Sequence, residues 1–499
     1  MNEGAMYELP VGWVWTRLGE VCLDPQYGWT TSAKTEGALH LLRTTDITSG
    51  IIDWNTVPFC HEEPPEKEKY LLKDGDIVIS RAGSVGYSYL IKNPKEAIFA
   101  SYLIRFRSLI YKKYFAYFLK SPFYWNSISE KSLGIAIPNV NASKLKQIFI
   151  PLPSLPEQRA IVSKIEQLFS DLDSSIENFK KAQAQLKRYR QSVLKAACEG
   201  RLMPTEAELA RKEGRTYEPA DVLLARILKE RCEKWNGRGK YTELAAPDTK
   251  GLPELPEGWS YTFIDALLSM ERTGIKTGPF GSLLKKHEHR IEGIPVLGIE
   301  NIEAMRFIAG SKIHITKEKS NQLSSYDALP NDVLISRSGT VGEVCVVPEG
   351  LGEARISTNL MRVTLAPNGM LPLFFIFLFN GSLFVLNQVL ELCKGSTRNF
   401  LNQDILFSLI FPIPPLAEQC RIVSEIERRF SISDKMEATI TESLQKAESL
   451  RQSILKKAFE GKLLNKIELE EARKAPDWEP AEKLLEKIKA EKKEKNGQR

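Results

Sequence analysis

The stretch IPLPSLPEQRAIVSKIE, residues 150–166, returns as FPIPPLAEQCRIVSEIE at residues 411–427. Each copy is a proline-rich stop followed by a run with helical spacing. Glu157 and Glu418 fall in the first turn of that run, where the helix dipole favours a carboxylate. The match continues on both sides. LPVGWVWTRLGEV from residue 9 pairs with LPEGWSYTFIDAL from residue 255, and LLRTTDI (41–47) pairs loosely with VLGIENI (296–302). GDIVISRAGSVG (75–86) pairs with NDVLISRSGTVG (331–342), and RQSVLKAACEGRL (190–202) with RQSILKKAFEGKL (451–463). YEPADVLL (217–224) pairs with WEPAEKLL (478–485). The chain is two tandem units of one design.

The distance between copies is informative. It is 246 residues at Trp13/Trp259, 255 at Leu42/Leu297 and 256 at the glycine turn. From Pro151/Pro412 to Glu218/Glu479 it holds at 261. Loops absorb insertions cheaply, whereas one extra residue in a packed helix turns every later side chain by about 100°. Each unit is therefore a variable globular part followed by a helical part of locked length.

Apolar spacing supports the helical reading. Ile161, Ile165, Leu168, Leu172, Ile176, Phe179, Leu186, Val193 and Ala197 follow three-and-four steps, with Gln183 and Arg190 in two seam positions. Ile422, Ile426, Phe430, Ile440, Leu444, Ala447, Ile454 and Ala458 do much the same. Such seams belong to coiled coils. Both runs end near a glycine, as CEGRL and FEGKL. Each spans about 42 residues, or roughly 60 Å. Two seams of one length most simply pair with each other, and an antiparallel pair would place the globular parts at opposite ends of a rod. The alternative is that each helix packs on its own globular part.

Composition narrows the class. With 499 residues, 42% hydrophobic and 26% charged, the chain should form two to four domains with ordinary cores. No run of about 18 uncharged apolar residues appears, and LPLFFIFLF (371–379) suits a buried helix or strand. MNEGAMYELP shows no signal-peptide pattern. Seven scattered cysteines without a C-x-x-C pair read as reduced thiols. A net charge of +6 is weak support for a nucleic-acid partner by itself.

The globular parts show short β-rich runs between glycine, proline and asparagine turns. Polar and basic residues cluster at those turns, as contacts to phosphates and base edges require. In the first unit the candidate DNA contacts are Thr30, Thr31 and Lys34 of YGWTTSAK, then Arg43 and Thr45 of LLRTTDI. Arg81 and Ser84 of the glycine turn follow, then Tyr102 of ASYLIRFRS, and Asn139, Asn141 and Lys144 of PNVNASKLK. In the second unit they are Lys276, Ser282, Lys285 and Lys286 of KTGPFGSLLKKHEHR, and Asn301 of VLGIENI. Arg337 and Thr340 of the glycine turn, Thr358 and Asn359 of ISTNLMRV, and Thr397, Arg398 and Asn399 of KGSTRNF complete them. Any one cluster alone could be a solvated loop; recurrence at matching places in both units argues otherwise. Gly83, Gly86, Gly339 and Gly342 could simply permit a tight turn.

Catalytic signatures are missing. There is no G-x-x-x-x-G-K-[ST], no G-x-G-x-x-G after a strand and no Asn/Asp-Pro-Pro-aromatic tetrapeptide. His287 and His289 form an H-x-H without further ligands at metal spacing, and PND (330–332) lacks a nearby E-x-K. Catalysis is expected to lie outside this chain.

In order and duplication these motifs resemble the specificity subunits of type I restriction–modification systems. The resemblance rests on both glycine turns, on YGWTTSA and TGPFGSLL, on the two helix openings, on RQSILKKAFEGKL and on EPADVLLARILKER. It covers nearly the whole chain. It implies an α+β fold of two target recognition domains, each followed by a long helix, the helices pairing as an antiparallel coiled coil with pseudo-twofold symmetry. The expected division is recognition domains at 1–150 and 255–411, long helices at 151–200 and 412–461, a helical connector at 201–254 and a C-terminal helical segment at 462–499.

The resemblance also implies a partnership. Each recognition domain would read one half of a split double-stranded DNA target, and the helices would measure the unread spacer. Two methyltransferase subunits carrying S-adenosylmethionine would methylate an adenine in each half-site. Restriction–translocase subunits using ATP and Mg would cleave unmodified DNA. This chain itself would be non-catalytic, without metal or cofactor, away from membranes, in a bacterial or archaeal cytoplasm. The competing reading is a coiled-coil adaptor that binds proteins without DNA specificity.

Overall fold

A computed structural model describes residues 7–132, 139–235, 241–281, 283–303, 305–393 and 400–497. The chain divides into two compact units, one of residues 1–181 with 440–499, the other of residues 182–439. Each unit holds one globular head, and each long helix contributes part of its length to both units.

The first head is built on a four-stranded antiparallel sheet. Its strand order is Gln26–Tyr27, Leu103–Phe106, Ile77–Ser80, Ser88–Leu90. The second head repeats it as Ile275–Thr277, Leu360–Val363, Val333–Ser336, Val344–Val346. The central strands are buried on both faces, which explains why DIVIS and DVLIS read as continuous apolar runs. Successive side chains point to opposite faces. Ile77 and Ile79 accordingly join the core that the long helices share, while Val78 joins a smaller core on the other side. Val333, Ile335 and Leu334 divide in the same way.

A second sheet in each head carries a parallel pair, His40–Leu42 with Ala97–Phe99 and Ile294–Leu297 with Arg355–Ile356. A two-stranded ribbon closes each head onto its helix: Val14–Arg17 pairs with Phe149–Leu152, and Ser260–Phe263 with Ile410–Ile413. The apolar tract at 371–379 forms the helix Pro372–Gly381, nearly all of it buried. Among the described residues no single helix is long and apolar enough to cross a membrane. All seven cysteines are free.

The long helices are Leu155–Cys198 and Leu416–Phe459, 44 residues each. The glutamates of their first turns do more than meet a dipole. Glu157 is buried and accepts from Ser154 N–H at 3.1 Å and Arg473 Nε at 3.1 Å. Glu418, also buried, accepts from Glu206 N–H at 2.8 Å and Trp259 Nε1 at 2.9 Å, and desolvation raises its pKa.

Beside each glutamate a glutamine joins helix to head. Gln158 Oε1 accepts from Tyr111 N–H at 3.0 Å while its Nε2 donates to Pro153 O at 3.0 Å. Gln419 repeats this with Leu371 N–H at 3.0 Å and Pro414 O at 3.1 Å, and also reaches Gly369 O. Both glutamines are fully buried.

Within each unit the helices meet through one recurring cluster. In the first, Arg451 pairs with Asp173 and its guanidinium lies 4.5 Å over Phe169. In the second, Arg190 pairs with Asp434 at 2.6 Å and lies 6.0 Å over Phe430. Each residue of one cluster is 261 positions from its counterpart in the other. The packing that accompanies them is apolar: Ile161, Ile165, Ile454, Ala458 and Phe459 share the first head's core. Val193, Ala197, Ile422 and Ile426 share the second's. Each head thus packs on portions of both helices, and the alternative of a helix serving only its own head does not hold.

Replacing Gln419 by Leu should leave the half-buried Leu371 N–H without its partner and cost about 1–3 kcal/mol. Gln158→Leu should cost as much through Tyr111. Urea unfolding of the full chain, read with amide exchange at Leu371 and Tyr111, checks both.

Candidate nucleic-acid interface

The glycine turn closes the edge of each central strand. Gly86 N–H donates to Ser80 O at 2.9 Å, and Gly342 N–H to Ser336 O at 2.9 Å. The closing glycines have φ of +88° and +89°, a left-handed conformation that side chains other than glycine resist. The arginine after the strand is held by its backbone. Arg81 N–H donates to Tyr102 O at 2.9 Å, and Arg81 O accepts from Val140 N–H at 3.0 Å. In the second head Arg337 N–H donates to Asn359 O at 2.9 Å, and Arg337 O accepts from Leu401 N–H at 3.1 Å.

A glycine lets a third segment come close. Gly28 N–H donates to Leu103 O at 3.1 Å, and Gly278 N–H to Leu360 O at 3.0 Å. A Cβ on Gly28 would stand 2.2 Å from Ala100 O, and one on Gly278 1.9 Å from Ser357 O. A fourth segment is capped alike, Asn141 Oδ1 accepting from Lys144 N–H at 2.9 Å and Asn402 Oδ1 from Ile405 N–H at 2.8 Å. The two heads thus carry one frame of four converging segments, laid down twice.

The side chains on that frame differ. In the first head the half-buried Arg81 lies 5.1 Å over the Tyr27 ring, whose hydroxyl accepts from Ala142 N–H at 3.0 Å. Tyr102 is 62% exposed. In the second head Arg337 is only 5% exposed, its guanidinium 4.1 Å over Phe400 and 5.5 Å over Phe280. Burial lowers its pKa. The Nε of both arginines has no hydrogen-bond partner. Arg337, expected among the DNA contacts, is thus nearly covered, with its guanidinium against two rings.

The frame gathers Arg81, Ser84, Tyr102, Asn139 and Asn141 in the first head, the last two through the Ala82–Asn139 bridge and the cap. Lys144 lies in the helix that this cap begins. Thr30 is exposed just beyond the close approach of Gly28. Thr31 Oγ1 accepts from Glu62 N–H at 3.0 Å, and Lys34 is exposed in the strand Ala33–Lys34. Arg43 is already engaged by Asp46 at 2.8 Å, and Thr45 is exposed beside it.

In the second head Thr340 and Asn359 are exposed, with Asn359 Oδ1 accepting from Ser338 Oγ at 2.8 Å. Thr358 Oγ1 donates to Pro279 O, Lys276 Nζ lies 4.7 Å over Tyr326, and Lys285 and Lys286 are exposed. Asn301 is a correction: it is fully buried, accepting from Gly298 N–H at 2.8 Å and donating to Ile308 O at 2.8 Å. No amide hydrogen is left for a base edge. Ser282, Thr397, Arg398 and Asn399 lie outside the described residues.

Sequence reading missed Tyr27, Phe280 and Phe400. The signal was available in the aromatic residues standing inside YGWTTSAK, TGPFGSLL and KGSTRNF, next to the polar ones that drew attention.

The comparisons with known proteins agree with this duplication. Residues 10–187 and 281–446 match the profile of a family described as the type I restriction modification DNA specificity domain. The StySPI specificity subunit from Salmonella potsdam is 26% identical over 98% of this chain and 97% of its own. The EcoKI specificity subunit from Escherichia coli strain K12 is 26% identical over 92% of this chain and 90% of its own. The HsdS subunit from Thermoanaerobacter tengcongensis superposes with a TM-score of 0.51 at 20% identity, over 93% of this chain and 100% of that one. A chain from a structural study of complex assembly and conformational transition in the type I R-M system superposes at 0.64, with 19% identity, over 92% and 100%. At such identities the structural likeness is one of fold.

Gly28→Ala and Gly278→Ala should each pry the third segment from its strand, at a cost of about 1–3 kcal/mol to the head concerned. Amide exchange should show lost protection at residue 28 or 278 only, with the other head unchanged.

Proposed function

Because the chain belongs to the type I restriction–modification DNA specificity family, we propose that each head reads one half of a split double-stranded DNA target. The observation that carries this is the duplicated frame with different exposed side chains. A reader of two unrelated half-sites needs one scaffold and two sets of contacts, because phosphate contacts position a protein and base contacts specify.

We place Lys34, Lys144, Lys285 and Lys286 on phosphates, and Tyr102, Ser84, Thr340 and Asn359 toward base edges. Arg81, partly exposed with an unpaired Nε, suits either. The family's DNA specificity resides in this chain on our reading, and chemistry in partners: two methyltransferase subunits with S-adenosylmethionine, and translocase–nuclease subunits with ATP and Mg.

The helices act as the ruler. Asp173 pairs with Arg451 in one unit and Asp434 with Arg190 in the other, the same contact made twice, and this repetition supports an antiparallel pairing of the helices. An antiparallel, pseudo-twofold pair would hold two heads at one separation. Spacer length then becomes a term in specificity, since the second head binds at high effective concentration only when its half-site is where the helices put it.

Full chain should retain duplexes carrying one bipartite sequence, with affinity falling steeply as salt rises. A protein-binding adaptor would show neither. Removing seven residues from both long helices at matching positions should change the spacer preferred in a binding selection while both half-sites persist. Altered half-sites with an unchanged spacer would overturn the ruler.

A further inference from the structure

We propose that Phe280 contacts the C5-methyl group of a thymine in the half-site read by the second head. The inference rests on the DNA reading above and names the chemistry of one position in it.

A single exposed phenylalanine is unremarkable on a protein surface. Phe280 differs in how firmly its backbone is held while its ring is left out. Gly278 N–H is tied to Leu360 O at 3.0 Å, Pro279 O accepts from Thr358 Oγ1, and Phe280 O accepts from Leu283 N–H at 2.8 Å. The ring itself remains 58% exposed. The edge left to the solvent is therefore positioned, and its apolar surface has no intramolecular use there.

The duplicated frame supplies a second, independent argument. Gly28 and Gly278 hold the same place, so Phe280 stands where Thr30 stands in the first head. The two positions share an exposed location and differ in side chain, as specificity positions on one scaffold should. The class of contact is narrowed by chemistry. Phenylalanine offers neither donor nor acceptor, and the feature of a base pair in the major groove that rewards an apolar group is the thymine methyl. Exposed Lys285 and Lys286 follow within six residues, able to engage the phosphates flanking such a contact.

The test uses the full chain. Its target is obtained by selection from a randomised duplex pool, and the second head's half-site is identified as the one that survives replacement of residues 1–150 by a homologous domain. Each thymine of that half-site is then exchanged for deoxyuridine, which lacks only the methyl group. We expect one such exchange to weaken wild-type binding about fourfold, the value of one buried methyl-sized group. Phe280→Ala should bind the thymine and uracil duplexes equally, and Phe280→Leu should restore most of the preference. Thymines of the other half-site should respond alike in all three proteins. The inference is overturned if no thymine of the second half-site shows methyl dependence, or if Phe280→Ala keeps it. A selection that enriches no sequence would instead sink the DNA reading itself.

Discussion

The joint between head and helix is a glutamine. Gln158 and Gln419 each take a backbone N–H from the head and return an amide hydrogen to the proline-rich stop before the helix. Both are fully buried, where a hydrogen bond meets little competition from water and a missing one is expensive. The first turn of the helix therefore cannot rotate without breaking contacts to the domain beside it. The neighbouring glutamates, also buried, tie the same turn to Arg473 in one unit and to Trp259 in the other. Four side chains in two first turns thus fix the direction in which each helix leaves its head, and a fixed length of helix has meaning only once that direction is fixed.

The clasp between helices uses a different balance. The Arg190–Asp434 and Arg451–Asp173 pairs are partly exposed, so as ion pairs each contributes little. Their value is geometric. The Arg190 guanidinium, spread over Phe430, reaches Asp434 at 2.6 Å and Glu437 at 2.8 Å together, and Arg451, spread over Phe169, reaches Asp173, so each ring holds a guanidinium beside the carboxylates of the facing helix. Stability comes instead from the apolar residues of both helices that enter each head's core, Ile161, Ile165, Ile454 and Ala458 in the first and Val193, Ala197, Ile422 and Ile426 in the second.

The duplication, the locked helical length and the strand-turn-strand around each glycine turn were legible because periodicity and offset survive in a one-dimensional string. Side-chain destinations were not. Asn301 has the composition of a reader, yet it turns inward to satisfy Gly298 N–H and the Ile308 and Gly310 carbonyls, a demand set by a hairpin that sequence does not announce. Arg337 looked like an exposed cation, but two aromatic rings from segments 57 residues before it and 63 after it cover the guanidinium. Gln158 and Gln419 were quoted within the helix openings and passed over, because an amide in a first turn is ordinary until its partner is known. The partners of Asn301 lie within nine residues, on a hairpin, whereas for Arg337 and the two glutamines the deciding neighbour lies far along the chain.

The same distance explains how two heads could diverge on one frame. The hydrogen bonds that draw the four segments together run between backbone atoms, and the closest approaches are made by glycines. Neither device depends on the exposed side chains at 30 and 280, 102 and 359, or 84 and 340. Those residues can change without loosening the fold, and do: Thr stands opposite Phe, Tyr opposite Asn, Ser opposite Thr. The arginine behind them shows how far such drift can go. Arg81 remains reachable beside one ring, whereas Arg337 has been covered by two, so the exposed surface of the second head passes from cation to aromatic edge. A scaffold held by its backbone is free to vary what it presents, and that freedom is what a family of sequence readers requires.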